Sequence, residues 1–198
     1  QHLQGSVTVR YDERGVPHIR ADNETDLYRA LGYVHAQDRL FQMEVLRRLA
    51  RGELAEVLGA KLLDTDKLMR TLRIRERADT YLANLDKQAP AFIAMQAYLD
   101  GINQYQDSHA KPAEFDALGI AKRPFTAEDV ISIAGYMAYS FAAAFRTEPL
   151  LTYVRDQLGA DYLSVFDLDW QPNGVLEKNA GGTVPPLASG DWQDLNAL

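Results

Sequence analysis

At Asn23 the hydrophobic period of this chain changes from two to between three and four, and that switch limits the fold more than any other feature. Residues 6 to 21, SVTVRYDERGVPHIRA, alternate β-branched and polar positions around a turn-forming DERG, then run VPHI. The pattern predicts two short strands joined as a β-hairpin. Pro17 has no backbone donor, so the second strand is expected at an edge or with a free position there. Beyond Asn23, Leu27, Leu31, Val34, Phe41, Val45 and Leu49 fall at three- and four-residue steps, tracing one helix face to about Ala50. Asn23 or Thr25 can cap that helix. Asp38 occupies the missing step between Val34 and Phe41, where a half-buried carboxylate partnered by Arg39, Arg47 or another segment is expected.

The remainder reads as helices. Gly52 breaks the first one before a short turn, Glu53 to Leu58, which Gly59 is placed to end in a left-handed conformation. From Asp64, Leu68, Leu72, Ala78, Tyr81 and Leu85 form an apolar stripe amid dense charge that reads as solvated surface. Pro90 suits a first helical turn, and Phe92 to Tyr105 is amphipathic. SHAKPAEFDALGIAKRP, residues 108 to 124, reads as a loop, and Thr126 with Asp129 resembles a capping box. In the helix from about Ala127 to Phe145, ISIAGYMAYSFAAAF is nearly free of charge, so burial on most sides is expected. Met137, Phe141 and Phe145 line up at four-residue steps. Such a stripe is usually core, although the same chemistry builds an apolar ligand pocket. Pro149 to Gly159 reads as another helix, and the Gly-, Pro-, Asn- and Ser-rich stretch from Gln171 as a tail that is extended or wrapped on a partner. With no repeat and no linker between two cores, one lobe over residues 1–198 is expected: a hairpin at 6–21, helices over 23–170 and a tail at 171–198. The fold class is α+β and mainly helical.

Composition removes several functions. A net charge of -7 argues against a nucleic-acid surface, which needs clustered Lys and Arg. No apolar run approaches the roughly 18 residues of a membrane-spanning helix. Cysteine is absent, which excludes a disulfide framework and a thiol nucleophile on this chain. Gln1 in place of Met fits removal of a targeting segment, as would any cut from a longer sequence. There is no phosphate loop, zinc helix motif or nucleophile elbow. His35 and Asp38 are three apart but lack a third metal ligand, and Ser140 has no base assigned beside it. On physical grounds alone the chain is a helical subunit or binding module.

Separated motifs add to that reading. GVPHIRA at 15–21, GYVHAQDRLFQME at 32–44, LRRLARGELAEVLG at 46–59, DKLMR at 66–70 and KRPFTAEDVISIAGYMAYSF at 122–141 resemble, in order, the small α subunit of the penicillin acylases. The resemblance implies an αββα N-terminal-nucleophile fold completed by a separate large β subunit, after autocatalytic cleavage of a precursor that is periplasmic or secreted. It implies that no catalytic residue lies on this chain, because the nucleophile is the serine that begins the β subunit. That serine's free α-amine, with an ordinary pKa near 8, acts as its base. It further implies that Met137 and Phe141 line the acyl pocket, with Ser140 between them where penicillin G acylases commonly carry Arg. Glu148 is then the candidate carboxylate for a structural Ca2+ shared with the β subunit. The Ser140 departure leaves two substrate classes open, penicillin G-type amides and N-acyl homoserine lactones.

Overall fold

The computed structural model describes residues 3–142, 144–159 and 161–163, with the backbone alone at 144–146. The tail expected from residue 171 and the Phe145 side chain lie outside the described residues. Contacts gather the described residues up to 142 into one compact unit and those from 144 into a second.

The first unit opens with the expected hairpin. β1 (Val7–Tyr11) and β2 (Pro17–Ala21) are antiparallel, with Val9 opposite Ile19. One Asp12 carboxylate oxygen accepts the backbone N–H of Arg14 and of Val16, both at 2.9 Å, and so shapes the turn. The register puts Val7, Val9, Tyr11, Pro17, Ile19 and Ala21 on one face and Thr8, Arg10, His18 and Arg20 on the other.

Helix α1 (Glu24–Arg51) starts where Asn23 Oδ1 accepts the Asp26 N–H at 2.9 Å, and it ends at Gly52 in the left-handed region. Asp26 is fully buried and accepts from Gln4 N, Gly5 N, Asn23 Nδ2 and Arg29, tying the N-terminal segment to the helix. The backbone leaves helical geometry at Arg39, which divides α1 by a kink. The most buried line runs through Val34, Ala36, Leu40, Glu44 and Arg47, while Leu27, Leu31, Phe41, Val45 and Leu49 are half-buried. Asp38 is therefore exposed, contrary to the half-buried position expected of it, because the buried line lies about one residue away from the hydrophobic stripe.

A short α2 (Ala55–Leu58) and a 3-10 turn (Ala60–Leu62) lead into α3 (Leu63–Leu72) and α4 (Ile74–Asn84). Asp66 on α3 accepts Leu54 N and Ala55 N at 2.9 and 2.8 Å, capping α2 from outside. The stretch from Asp64 is two helices, because Arg73 adopts φ 54° between them. Met69, Ile74 and Ala78 face inward, and Leu68 and Tyr81 are exposed.

Helix α5 (Pro90–Ser108) begins with Pro90 in its first turn and crosses α1 in backbone contact at Gly32 and Gly101. The segment after it, read as loop, contains α6 (Ala113–Ala117), and its Phe115 and Ile120 enter the core. That core joins Ala36 and Leu40 of α1, Leu99 and Ile102 of α5, Phe115, Ile120 and Phe125. Asn103 fastens the next segment by a reciprocal pair, accepting Phe125 N at 2.8 Å and donating to Phe125 O at 2.9 Å. α7 (Ala127–Phe141) closes the first unit. In the second unit, α8 (Ala144–Leu158) carries Pro149 inside it. No described helix is long and apolar enough to cross a membrane.

Candidate functional site

The candidate site is the outer half of α7, and it is held from the helix's other end. Thr126 caps α7: its Oγ1 accepts Asp129 N, while Asp129 Oδ2 accepts Thr126 N at 2.9 Å, a complete capping box. Asp129 is buried, and it also meets Arg51 at 3.3 Å and Arg47 at 3.5 Å from α1. One carboxylate thus satisfies the first turn of α7 and joins it to α1.

Arg47 is the centre of this anchor. It is fully buried, donates through Nε and a second nitrogen to Glu44, and donates to the backbone carbonyls of Arg123 and Pro124 at 3.0–3.2 Å. Its guanidinium lies 4.0 Å from the centre of the Phe125 ring. Burial pulls this guanidinium below its ordinary pKa, against the pull of Glu44 and Asp129. Glu44 also accepts from Arg48 at 2.7 Å, and Arg51 pairs with Glu53 and Glu128 at 3.0 and 2.8 Å. A buried charge is tolerable only when its hydrogen-bonding capacity is used, and here all three Arg47 nitrogens are engaged.

From this anchor α7 runs past α4, where a Cβ on Gly135 would meet Ile74 Cγ2 at 2.9 Å, and then emerges. The expectation that it is buried on most sides is not met. Only Asp129 and Ser132 of α7 are buried, and the helix ends at Phe141. Met137 is 45% and Phe141 80% exposed, and Ser140 is exposed with them. Spacings of three and four residues put these side chains on one face of a helix. The Ser140 hydroxyl donates to the Met137 carbonyl at 2.8 Å, so it is turned back on its own helix and has no base beside it among the described residues.

Glu148 is exposed on α8 in the second unit. Ca2+ takes six to eight oxygen ligands, and among the described residues no group of three or more His, Asp or Glu side chains could hold a metal. One carboxylate is not a calcium site, so these residues alone do not fit the ion. His35 faces Tyr98 rather than Asp38: its Nδ1 is 3.0 Å from the Tyr98 hydroxyl, which burial raises above its ordinary pKa.

Sequence reasoning found the Thr126–Asp129 box of the anchor and named Arg47 only as a partner for Asp38, and it missed the ion pairs that α1 brings to that box. Glu44, Arg47, Arg48 and Arg51 stand at three- and four-residue spacings, a pattern that signals an ion-pair ladder. Nothing in one sequence reveals that the ladder faces the core, because charged residues are ordinarily read as solvated.

Comparison with known proteins places this architecture. The profile described as penicillin amidase matches residues 6–192. An acyl-homoserine lactone acylase QuiP of Pseudomonas aeruginosa is 31% identical over 94% of this chain, and a penicillin G acylase of Escherichia coli 34% identical over 87%. The penicillin acylase 2 proenzyme of a Pseudomonas species is 43% identical over 62%. These alignments cover 16% to 23% of the relatives' own lengths, so the chain spans about a fifth of the curated relatives it matches. A solved thermostable penicillin G acylase from Alcaligenes faecalis superposes with a TM-score of 0.59 at 30% identity, covering 82% of this chain and 90% of that one. With the profile running over nearly its whole length, the chain belongs to the penicillin amidase family.

Proposed function

We propose that this chain is the small subunit of a two-chain acylase that hydrolyses an amide between a hydrophobic acyl group and a polar amine. Its role is to supply one wall of the acyl pocket through Met137, Ser140 and Phe141. The observation that carries this reading is the exposure of Met137 and Phe141 on the outer half of a helix whose first turn is fixed by a buried network. Large apolar side chains that adjoin on one uncovered helix face suit a binding surface, whereas ones scattered singly do not call for one. Two coverages support a small subunit: this chain spans 90% of the solved acylase chain but about a fifth of the curated relatives.

In this reading the large chain brings the nucleophile, a serine at its own N-terminus. The terminal amine accepts the hydroxyl proton as the oxygen attacks the amide carbonyl. The resulting ammonium returns that proton to the departing nitrogen as the C–N bond breaks and the amine product leaves. The freed amine then takes a proton from water, whose oxygen attacks the acyl-serine ester, and gives it back to the serine oxygen as the acid is released. Met137 and Phe141 act on acyl binding, and Ser140 lines the same wall. Glu148 lends one carboxylate to a calcium ion whose other oxygen donors come from the large chain. The assembled protein is periplasmic or secreted.

A second reading concerns the acyl group. The 31% identity to an acyl-homoserine lactone acylase extends over 94% of the chain, and Ser140 leaves this stretch of wall without a cation for a penicillin carboxylate. Long-chain N-acyl homoserine lactones are therefore the alternative to arylacetyl amides.

The test is expression of the whole precursor, purification, and N-terminal sequencing of every chain recovered. A larger co-purifying chain that begins with Ser, with turnover of a phenylacetyl amide or a long-chain homoserine lactone, is the expected result. An active monomer of this chain would sink the proposal. A stable complex without hydrolase activity would favour a non-catalytic interaction subunit instead.

A further inference from the structure

We propose that β1 is an interior strand of a larger sheet, its outer edge paired with a strand of the large chain; this rests on the two-chain reading above. The hydrogen-bond pattern identifies the open edge. Asp22 N donates to Ser6 O and Asp12 N to Val16 O. In the alternation of an antiparallel pair, these bonds make Thr8–Arg20 and Arg10–His18 the bonded pairs. The backbone N–H and C=O groups of Val7, Val9 and Tyr11 therefore point away from β2, and no described residue pairs with them.

Three further features specify the occupant. A two-stranded sheet is marginal on its own, and this one is unevenly covered: β2 alternates half-buried and exposed, whereas β1 is exposed from Thr8 to Tyr11. A groove of about 380 Å³ lies beside Leu3, Val7, Val9, Tyr33, Val34 and His109 and is lined by no β2 residue. It thus opens beneath the unpaired edge, where alternate side chains of an added strand would enter it. On the opposite face Arg10 and Arg20 are exposed and form no ion pair with any described residue. The incoming strand accordingly alternates apolar residues, which fill the groove, with acidic or polar ones that face Arg10. The large chain is its source, because about four-fifths of each curated relative lies outside the matched region.

Hydrogen exchange of the purified two-chain protein, read at single-amide resolution by mass spectrometry, tests this pairing. The Val9 and Tyr11 amides are expected to exchange on the order of 100-fold slower than an unstructured peptide, like the Thr8 and Arg10 amides that the hairpin itself should protect. Free exchange at Val9 and Tyr11 beside protected Thr8 and Arg10 would overturn it. A photo-crosslinking benzoylphenylalanine in place of Tyr11 should join the two chains, and crosslinks confined to the small chain would overturn the choice of occupant. If no second chain accompanies the active protein, both proposals fall. If one does and the outer amides exchange freely, only the strand pairing falls.

Discussion

Gly32 on α1 and Tyr98 on α5 meet backbone to backbone: a Cβ on Gly32 would lie 1.9 Å from the Tyr98 carbonyl oxygen. The contact is reciprocal, since a Cβ on Gly101 would lie 1.9 Å from the carbonyl oxygen of Arg29. Two glycines in helix interiors cost about 1 kcal/mol each relative to alanine. They are retained because this approach brings Ala36 and Leu40 onto Leu99 and Ile102.

Gly32→Ala should therefore destabilise the protein despite its gain in helix propensity. Backbone cannot yield as a side-chain tip does, so the net loss is expected near the upper end of overpacking, roughly 3 kcal/mol. Thermal unfolding of the assembled protein measures it. A melting temperature at or above that of the parent would mean that α1 and α5 are further apart than described.

Arg47→Met should cost about 3–5 kcal/mol, the usual effect of breaking a buried ion pair from one side. It strands Glu44 with Arg48 alone and removes the donors that hold the Arg123 and Pro124 carbonyls. Arg47→Lys should recover little, because an ammonium cannot reach Glu44, Asp129 and two carbonyls in a planar fork. Urea unfolding of both variants and of Arg47→Met with Glu44→Leu gives the coupling. The double variant should lose less than the sum of the single ones, and strict additivity would show that the two side chains act independently.

These two contacts mark the limit of what the sequence discloses. The hairpin, the Asn23 cap, Pro90 and the Thr126–Asp129 box are legible because each is decided within a few residues. The buried line of α1 is not, because Glu44 and Arg47 lie in it and the kink at Arg39 has no Pro or Gly to announce it. Arg73 likewise splits α3 from α4 with no sequence signal. For α7, apolarity reports a stripe through Met137 and Phe141 but not that these side chains are exposed. The apolar stripe was thus readable in the sequence, and its exposure only from the fold.

Asp26 predicts the acid response. Burial alone would raise its carboxyl, but hydrogen bonds from Asn23, Gly5 and Gln4 and the charge of Arg29 outweigh that and hold it below the ordinary carboxylate range. A carboxyl whose folded pKa is depressed stabilises the fold fully above its unfolded value, near 3.9, and loses that stabilisation as the pH falls toward the folded pKa. Asp26→Asn should therefore be less stable than the parent at pH 7, with the gap closing below about pH 4. Unfolding free energies of both proteins from pH 3 to 7 measure the gap, and a difference independent of pH would rule out this role for the Asp26 charge.

Phe141 separates stability from selectivity. Because the ring is 80% exposed, Phe141→Ala should change the unfolding free energy of the small chain's own fold by less than about 0.5 kcal/mol. If the ring forms a pocket wall, its removal acts on the acyl group, where even one methylene is worth about 1–3 kcal/mol of discrimination. The ratio of kcat/KM for a phenylacetyl amide to that for a decanoyl amide should then shift on the order of tenfold or more toward the longer chain. Met137→Ala, one helical turn away on the same face, should shift the ratio in the same direction by less, because a flexible thioether side chain defines a wall less sharply than a ring. The variants are compared in the processed two-chain protein, with the yield of cleaved chains recorded beside the rates. An unchanged ratio in both, with normal processing, would remove α7 from the acyl pocket and leave its exposed face to pack against the large chain.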